Sequence, residues 1–261
     1  MALEEEDGDL SLPPSTLEAL QAFYAERDEH ARRFADLRAA AEAAAEASAQ
    51  ASVEADKLPV PLSMAAFNED WNESQFWYSD ETARTFAQRL LEGTDASSTV
   101  VVVSAPSAFV ALKNLVATRS VEQRPRLFLL EHDTRFAVFG AEFVPYDYQE
   151  PTKLPSFLRG AADRIICDPP FLSDDCQTKA ALTVRWLGKT TKAAETPEAP
   201  GVRVIVCTGE RMAPLITAKL YAAQGVRTTT YEPHHARGLG NEFYCYANFE
   251  CDDWNWVKNT E

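Results

Sequence analysis

Arg164-Ile165-Ile166-Cys167-Asp168-Pro169-Pro170-Phe171 reads as a short apolar strand that stops abruptly at a carboxylate, two prolines and an aromatic ring. Proline has no backbone N–H and holds φ near −65°, so the ladder cannot continue through this point. Directly after it, Ser173-Asp174-Asp175 offers a helix cap and an acidic first turn to a run that reaches Trp186 and stops at Gly188. The same unit recurs upstream. Ser79-Asp80-Glu81 caps a helix reaching about Leu91, residues 99–104 form a buried strand, and residues 107–117 a second helix. Residues 126–130 and 143–146 read as two more short strands. Downstream, residues 188–201 are polar with two prolines and read as a surface loop. A strand at 202–207, a helix at 213–224 stopped by Gly225, and strands at 228–231 and 243–249 complete the pattern. Strands that are apolar throughout, alternating with helices, predict an α/β fold: a mainly parallel sheet with helices on both faces. The last two strands, with no helix between them, predict an antiparallel edge pair.

The chain has 261 residues, a length for one large domain with an appendage. Its first dozen residues are acidic and end at Pro13-Pro14, after which Ser15-Thr16-Leu17-Glu18 has capping-box spacing and Leu17, Leu20, Phe23 and Tyr24 fall on one helical stripe. Residues 38–57 are mostly Ala and Glu, with helix propensity but little to bury, so they read as an exposed helix or a low-complexity linker closed by Pro59 and Pro61. The expected division is an N-terminal segment, 1–63, and a main domain, 64–261. Forty acidic against 25 basic side chains give a formal net charge of −15. That balance argues against general affinity for nucleic acid or anionic membranes, which needs Lys and Arg opposite phosphate. The cysteines Cys167, Cys176, Cys207, Cys245 and Cys251 are odd in number, lie mostly in apolar runs and include no C-x-x-C pair, so reduced core thiols are expected rather than disulfides or a zinc site. The acidic N-terminus lacks the character of a signal peptide and no apolar run approaches a membrane span, so a cytoplasmic protein is expected.

In open α/β sheets, ligands sit outside the carboxyl ends of the strands. Four such ends carry reactive or shaping residues: Ser104-Ala105-Pro106, Glu131, Asp147 and Asp168-Pro169-Pro170-Phe171. The three carboxylates either serve one ligand or are solvated turn residues. The proline loop presents rigid carbonyl acceptors beside a carboxylate and a π face, groups suited to holding a neutral amine by its hydrogens. Its structural alternative is a bare strand-to-helix turn. His234-His235 either lines the substrate side of such a site or sits in an exposed turn, and Trp254 and Trp256 either cap the sheet edge or meet a partner.

Asp168 to Phe171 matches the Asp/Asn-Pro-Pro-aromatic motif of S-adenosylmethionine-dependent methyltransferases acting on amine nitrogens. Trp71-Asn72-Glu73-Ser74-Gln75-Phe76-Trp77-Tyr78-Ser79, Val103-Ser104-Ala105-Pro106-Ser107, Arg135-Phe136-Ala137, Phe143-Val144-Pro145-Tyr146-Asp147-Tyr148 and Asn241-Glu242-Phe243 together resemble the elongation factor 1-alpha lysine methyltransferase 1 family, earlier labelled putative adenine-specific DNA methyltransferases. The resemblance spans about residues 67–250 and the helix at 17–25. It implies a class I (Rossmann-like) seven-stranded methyltransferase sheet with an antiparallel last strand, S-adenosyl-L-methionine as cofactor, and translation elongation factor 1-alpha as protein substrate; a monomer is expected. By that resemblance, Ser104, Ala105 and Pro106 form the first cofactor loop, although the usual glycine-rich sequence is absent. Glu131 takes the ribose hydroxyls and Asp147 lies near the adenine amine. Phe76, Tyr78, Ser79 and Thr82 close over the methionine end, or simply staple and cap the following helix. Asp168 and Pro169 orient the amine, Pro170 stiffens the loop, Phe171 stabilises developing positive charge, and Trp77 and Asn241 stand with Phe171 on the substrate side. The rival activity, methylation of an adenine amine, needs a basic channel that a net charge of −15 makes hard to build. A catalytically dead binding module is the third reading, opposed by the intact proline loop.

Overall fold

Thr99–Val103 is buried at all five positions and forms β1, the centre of the sheet. Its side chains alternate between two faces, as the period of two requires. Val100 and Val102 enter one core with helices α1 (Asp80–Leu91) and α2 (Pro106–Ala117). Val101 and Val103 enter the other with α3 (Asp174–Leu187). Each fully buried valine contributes about 1.5–3 kcal/mol, so a strand apolar on both faces belongs in the middle of a three-layer sandwich. This computed structural model describes residues 62–67, 75–189, 201–238 and 242–258, together with helical positions at 25, 28, 29, 32, 35, 36 and 39. The expected capping box at residue 15, nearly all of the Ala-rich 38–57 segment, Trp71 to Ser74, residues 190–200 and Asn241 lie outside the described residues.

The sheet has seven strands in the order β3-β2-β1-β4-β5-β7-β6. Parallel to β1 and to one another run β2 (Arg126–Glu131), β3 (Phe143–Pro145), β4 (Arg164–Cys167) and β5 (Arg203–Gly209). β7 (Phe243–Ala247) is antiparallel and lies between β5 and β6 (Arg227–Thr228). The expected mainly parallel α/β sheet with an antiparallel final strand is therefore the observed one. Helix α1 is capped by Ser79, whose Oγ accepts from the Thr82 N–H at 3.2 Å, and α3 by Ser173.

Four elements differ from the sequence reading, the last strand among them, which ends at Ala247 rather than at residue 249. β5 runs two residues further, to Gly209, because β7 pairs with it through Phe243↔Gly209. The expected helix over 213–224 is broken into an α-helical turn at Ala213–Leu215, a π-helical stretch at Ile216–Leu220 and a 3-10 turn at Ala222–Gln224. The break falls at Tyr221, with φ −121° and a fully buried ring, and Arg185 takes the Leu220 carbonyl at 2.9 Å. Gly225 then turns the chain with φ +72°. The expected strand at 228–231 ends at Thr228, since Thr230 N–H leaves the ladder to donate to the Asn255 carbonyl at 2.8 Å. Trp254 and Trp256 close that edge: Trp254 is buried and donates to the Phe249 carbonyl, and Trp256 lies under Arg227 at 4.8 Å. No helix among the described residues is long and apolar enough to cross a membrane.

Candidate active site

The strand order reverses between β1 and β4, and a cavity of about 1110 Å³ opens there at the carboxyl ends of the strands. Small-molecule pockets are usually about 300–1,000 Å³, so this one has room for a ligand and part of a second. Residues 104–107 after β1, 131–135 after β2, 146–149 after β3 and 168–172 after β4 supply its floor and sides. Residues 75–78 before α1 form one wall, and Arg211, His235 and Phe243 complete it.

After β1 the chain turns at Ser104, the one described non-glycine residue with positive φ (54°). Its N–H donates to Leu130 O at 2.9 Å, which fixes the turn to β2. Left-handed backbone at a side-chain-bearing residue costs about 1–2 kcal/mol and clusters at functional turns. Here it does the work expected of the missing glycine. Helix α2 starts immediately afterwards with Pro106 in its first turn and no side-chain cap, leaving its positive end for an anion.

Glu131 is 7% exposed, and its Oε1 accepts from the N–H groups of His132 (2.8 Å) and Asp133 (3.1 Å). No described donor reaches its Oε2. Burial pushes the carboxyl up to about 7, against the pull of those two N–H bonds. Asp133 is different. Burial would raise it, but Arg135, at 2.6 Å from Nη2 to Oδ2, and Gln75, at 3.0 Å, hold it below the ordinary carboxylate range. Gln75 also accepts from Arg135 at 3.0 Å, which ties the wall before α1 to the loop after β2.

Asp168 leaves β4 with its N–H bonded to Val103 O (3.0 Å), and its Oδ2 accepts from the Tyr78 hydroxyl at 2.7 Å. Burial raises it to about 8, with the Tyr78 bond opposing and Glu131 adding to the rise. No described donor reaches the carbonyls of Pro169 or Pro170. Phe171 is 38% exposed and meets Tyr148 edge-on at 5.7 Å. Beneath it the buried Gln177 amide of α3 donates to Phe171 O and to Thr208 Oγ1, both at 3.0 Å.

The residues expected from sequence divide accordingly. Phe76, Tyr78, Ser104, Ala105, Pro106, Glu131, Asp147, Asp168, Pro169, Pro170 and Phe171 all border the cavity. Asp147 stands exposed at its rim, turned toward the Gln149 N–H at 2.8 Å. Ser79 and Thr82 do not border it. Ser79 Oγ caps α1, and Thr82 Oγ1 accepts from the Ser79 hydroxyl and from the His234 N–H at 3.0 Å, so they hold the wall from behind. Trp77 borders the cavity but is only 7% exposed, its indole N–H given to Phe67 O and its ring edge-on to Phe136. His235 does line the cavity, packed at 5.2 Å from Tyr78 and 4.8 Å from Phe243. Gln177 and Arg211 were not legible as site residues, since neither sits in a recognisable motif and both arrive by folding.

Residues 69–251 match the family model described as "Probable N6-adenine methyltransferase". The chain is 37% identical over 253 residues to the "Protein-lysine N-methyltransferase EFM5" of Saccharomyces cerevisiae, covering 95% of each. It is 32% identical over 247 residues to the human "EEF1A lysine methyltransferase 1", covering 94% of this chain and 95% of that protein. The chain belongs to the elongation factor 1-alpha lysine methyltransferase 1 family. The family relationship extends over nearly the whole chain, and the family model alone takes in every residue that borders the cavity. The seven-stranded sheet with its inserted antiparallel strand is the class I methyltransferase arrangement that the sequence led us to expect. The "Protein-lysine N-methyltransferase M142.8" of Caenorhabditis elegans is a further relative, 38% identical over 192 residues, covering 70% of this chain and 79% of that one.

Proposed function

We propose that the protein is an S-adenosylmethionine-dependent protein-lysine N-methyltransferase acting on a lysine of translation elongation factor 1-alpha. The observation that carries the reading is the Asp168 loop: a carboxylate held by Tyr78, two proline carbonyls without a described donor and an exposed phenyl ring, all at the end of a cavity that begins at Glu131. The residues fit the cofactor. Glu131 keeps Oε2 without a described donor, suited to a ribose diol, and the uncapped start of α2 suits the carboxylate of an amino acid. Asp147 at the rim offers an acceptor for an exocyclic amine. Bound there, S-adenosylmethionine supplies an electrophilic methyl group on a sulfonium.

The chain's own groups then prepare the acceptor. A free lysine has pKa near 10.4 and must be neutral to attack, so burial in the cavity favours the reactive form. Asp168 and the Pro169 carbonyl accept the amine's hydrogens and aim its lone pair. Because Asp168 is itself pushed up to about 8, it draws the ammonium form less than an ordinary aspartate would. Phe171 faces the nitrogen as positive charge develops, a cation–π contact that survives successive methylations. The net charge of −15 and the acidic strand ends complement a basic protein surface and oppose a nucleic-acid channel.

The test is incubation of the purified protein with labelled cofactor and, separately, unmodified elongation factor 1-alpha and adenine-containing oligonucleotides. Label on the protein, located to a lysine by peptide mass spectrometry, is expected. Label on the oligonucleotide alone overturns the reading in favour of adenine chemistry, and label on neither points to a binding module.

A further inference from the structure

We infer that Tyr78 is a positioning residue for the acceptor amine: its hydroxyl occupies Oδ2 of Asp168 and so leaves Oδ1 as the oxygen presented to substrate. This rests on the lysine methyltransferase reading for the identity of the amine, but the Tyr78–Asp168 coupling is testable without it.

The ring of Tyr78 is 3% exposed and is fixed on three sides, by Phe86 at 5.4 Å, His235 at 5.2 Å and Phe243 at 6.5 Å. Its backbone is bridged to His235 as well. The hydroxyl donates to the Asp168 carboxylate at 2.7 Å, with the Cys207 thiol as its other neighbour. A phenol this buried stays protonated and donates a single hydrogen, so it satisfies one carboxylate oxygen and not both. The start of the loop is independently pinned by Asp168 N–H to Val103 O. With the backbone fixed from β1 and one oxygen fixed from the wall before α1, the carboxylate plane is set. No described donor reaches Oδ1. Tyr78 also connects two parts of the site 90 residues apart in sequence, so the wall over the cavity and the amine-holding loop move as one piece.

Other titratable groups near Asp168 are Glu131 from the end of β2, Cys167 from β4, Cys207 from β5 and Cys176 from α3. Burial pushes all three thiols up, Cys176 to about 11 and the others well above the ordinary thiol range. Around neutral pH, Asp168 and Glu131 are thus the groups in this set that change charge.

Tyr78→Phe removes the hydroxyl and keeps the packed ring. In the full chain, kcat for methylation of the elongation factor should fall at least tenfold at neutral pH, with KM for S-adenosylmethionine changed less than threefold. The rise of kcat with pH should shift upward by about one pH unit, since a hydrogen bond that favours the carboxylate is gone. Melting of the cofactor-free protein against pH should show the same upward displacement relative to wild type. In an Asp168→Asn background, adding Tyr78→Phe should produce no such displacement. An unshifted melting titration overturns the inference, whether or not activity changes. Wild-type kcat in Tyr78→Phe overturns it too, and a loss confined to cofactor affinity assigns the hydroxyl to the cofactor wall instead. If wild-type protein leaves the elongation factor unlabelled, the substrate reading fails while the melting titration still decides the role of Tyr78.

Discussion

Replacing Glu131 by Gln should make the cofactor-free protein more stable at pH 8 while spoiling its hold on the cofactor. The carboxyl is almost wholly buried, and burial raises it from 4.5 to about 7. The folded state therefore binds a proton more tightly than the unfolded chain does. The stability due to this group is fully present below pH 4.5 and is lost as pH rises through about 7. At about 1.4 kcal/mol per pH unit, the displacement corresponds to roughly 3 kcal/mol of folding free energy absent at pH 8. Gln keeps an oxygen to accept from the His132 and Asp133 N–H groups, so those bonds survive in weaker, uncharged form. Some of the gain is offset there, leaving about 1–3 kcal/mol. For a chain of this size that is roughly 3–10 °C in Tm. Removing the charge also lets Asp168 relax downward, which adds to the gain with the same sign. The assay is thermal melting of both proteins without cofactor at pH 5 and pH 8, followed by calorimetric titration with S-adenosylmethionine. Equal melting at pH 5, a higher Tm for the variant at pH 8 and at least tenfold weaker cofactor binding are expected. A variant no more stable at pH 8, or equally stabilised at both pH values, would refute the reasoning that a buried charge lies behind the strain.

Asp168→Asn should lower kcat by about 10²-fold or more with cofactor affinity kept within a few-fold, measured by single-turnover methylation beside calorimetry. Phe171→Ala touches a ring that is more than a third exposed, so Tm should hold while kcat drops roughly 2- to 30-fold, the range of a cation–π contact. Intact-mass analysis of its products should show fewer methyl groups per lysine. Ser104→Gly relieves the positive φ and should stabilise the protein by about 1 kcal/mol in denaturant titration.

Legibility followed the range of the interaction. Strand β4 and the proline loop were readable residue for residue, because proline chemistry and an apolar run act within eight positions. Helix α3 was equally plain, since Ser173 and Gly188 punctuate it locally. The 213–224 segment was misread as one helix because its composition favours helix throughout. What breaks it is the burial of Tyr221 and the reach of Arg185 to Leu220, neither of which is a local signal. Ser79 and Thr82 carried two meanings, cofactor contact or helix cap, and only the arrival of His234, 152 residues after Thr82, separates them. Gln177 shows the same limit: a glutamine on a helix becomes a brace for Phe171 only when β5 brings Thr208 beneath it.

The insertion of β7 between β5 and β6 has a consequence for how the protein comes apart. The parallel strands β3, β2, β1, β4 and β5 hold Ser104, Glu131 and Asp168 without help from the C-terminal region. His235 and Phe243, which grip the ring of Tyr78, depend on β7 and the chain leading to it. β7 is held by β5 on one side and by a two-residue strand on the other, so that end of the sheet is the cheaper one to open. Fraying from there frees the wall over Asp168 before it disturbs Glu131. The floor that carries Glu131 and Asp168 and the grip on the Tyr78 ring thus rest on different parts of the sheet. On warming, the grip on Tyr78 loosens before the parallel strands themselves melt.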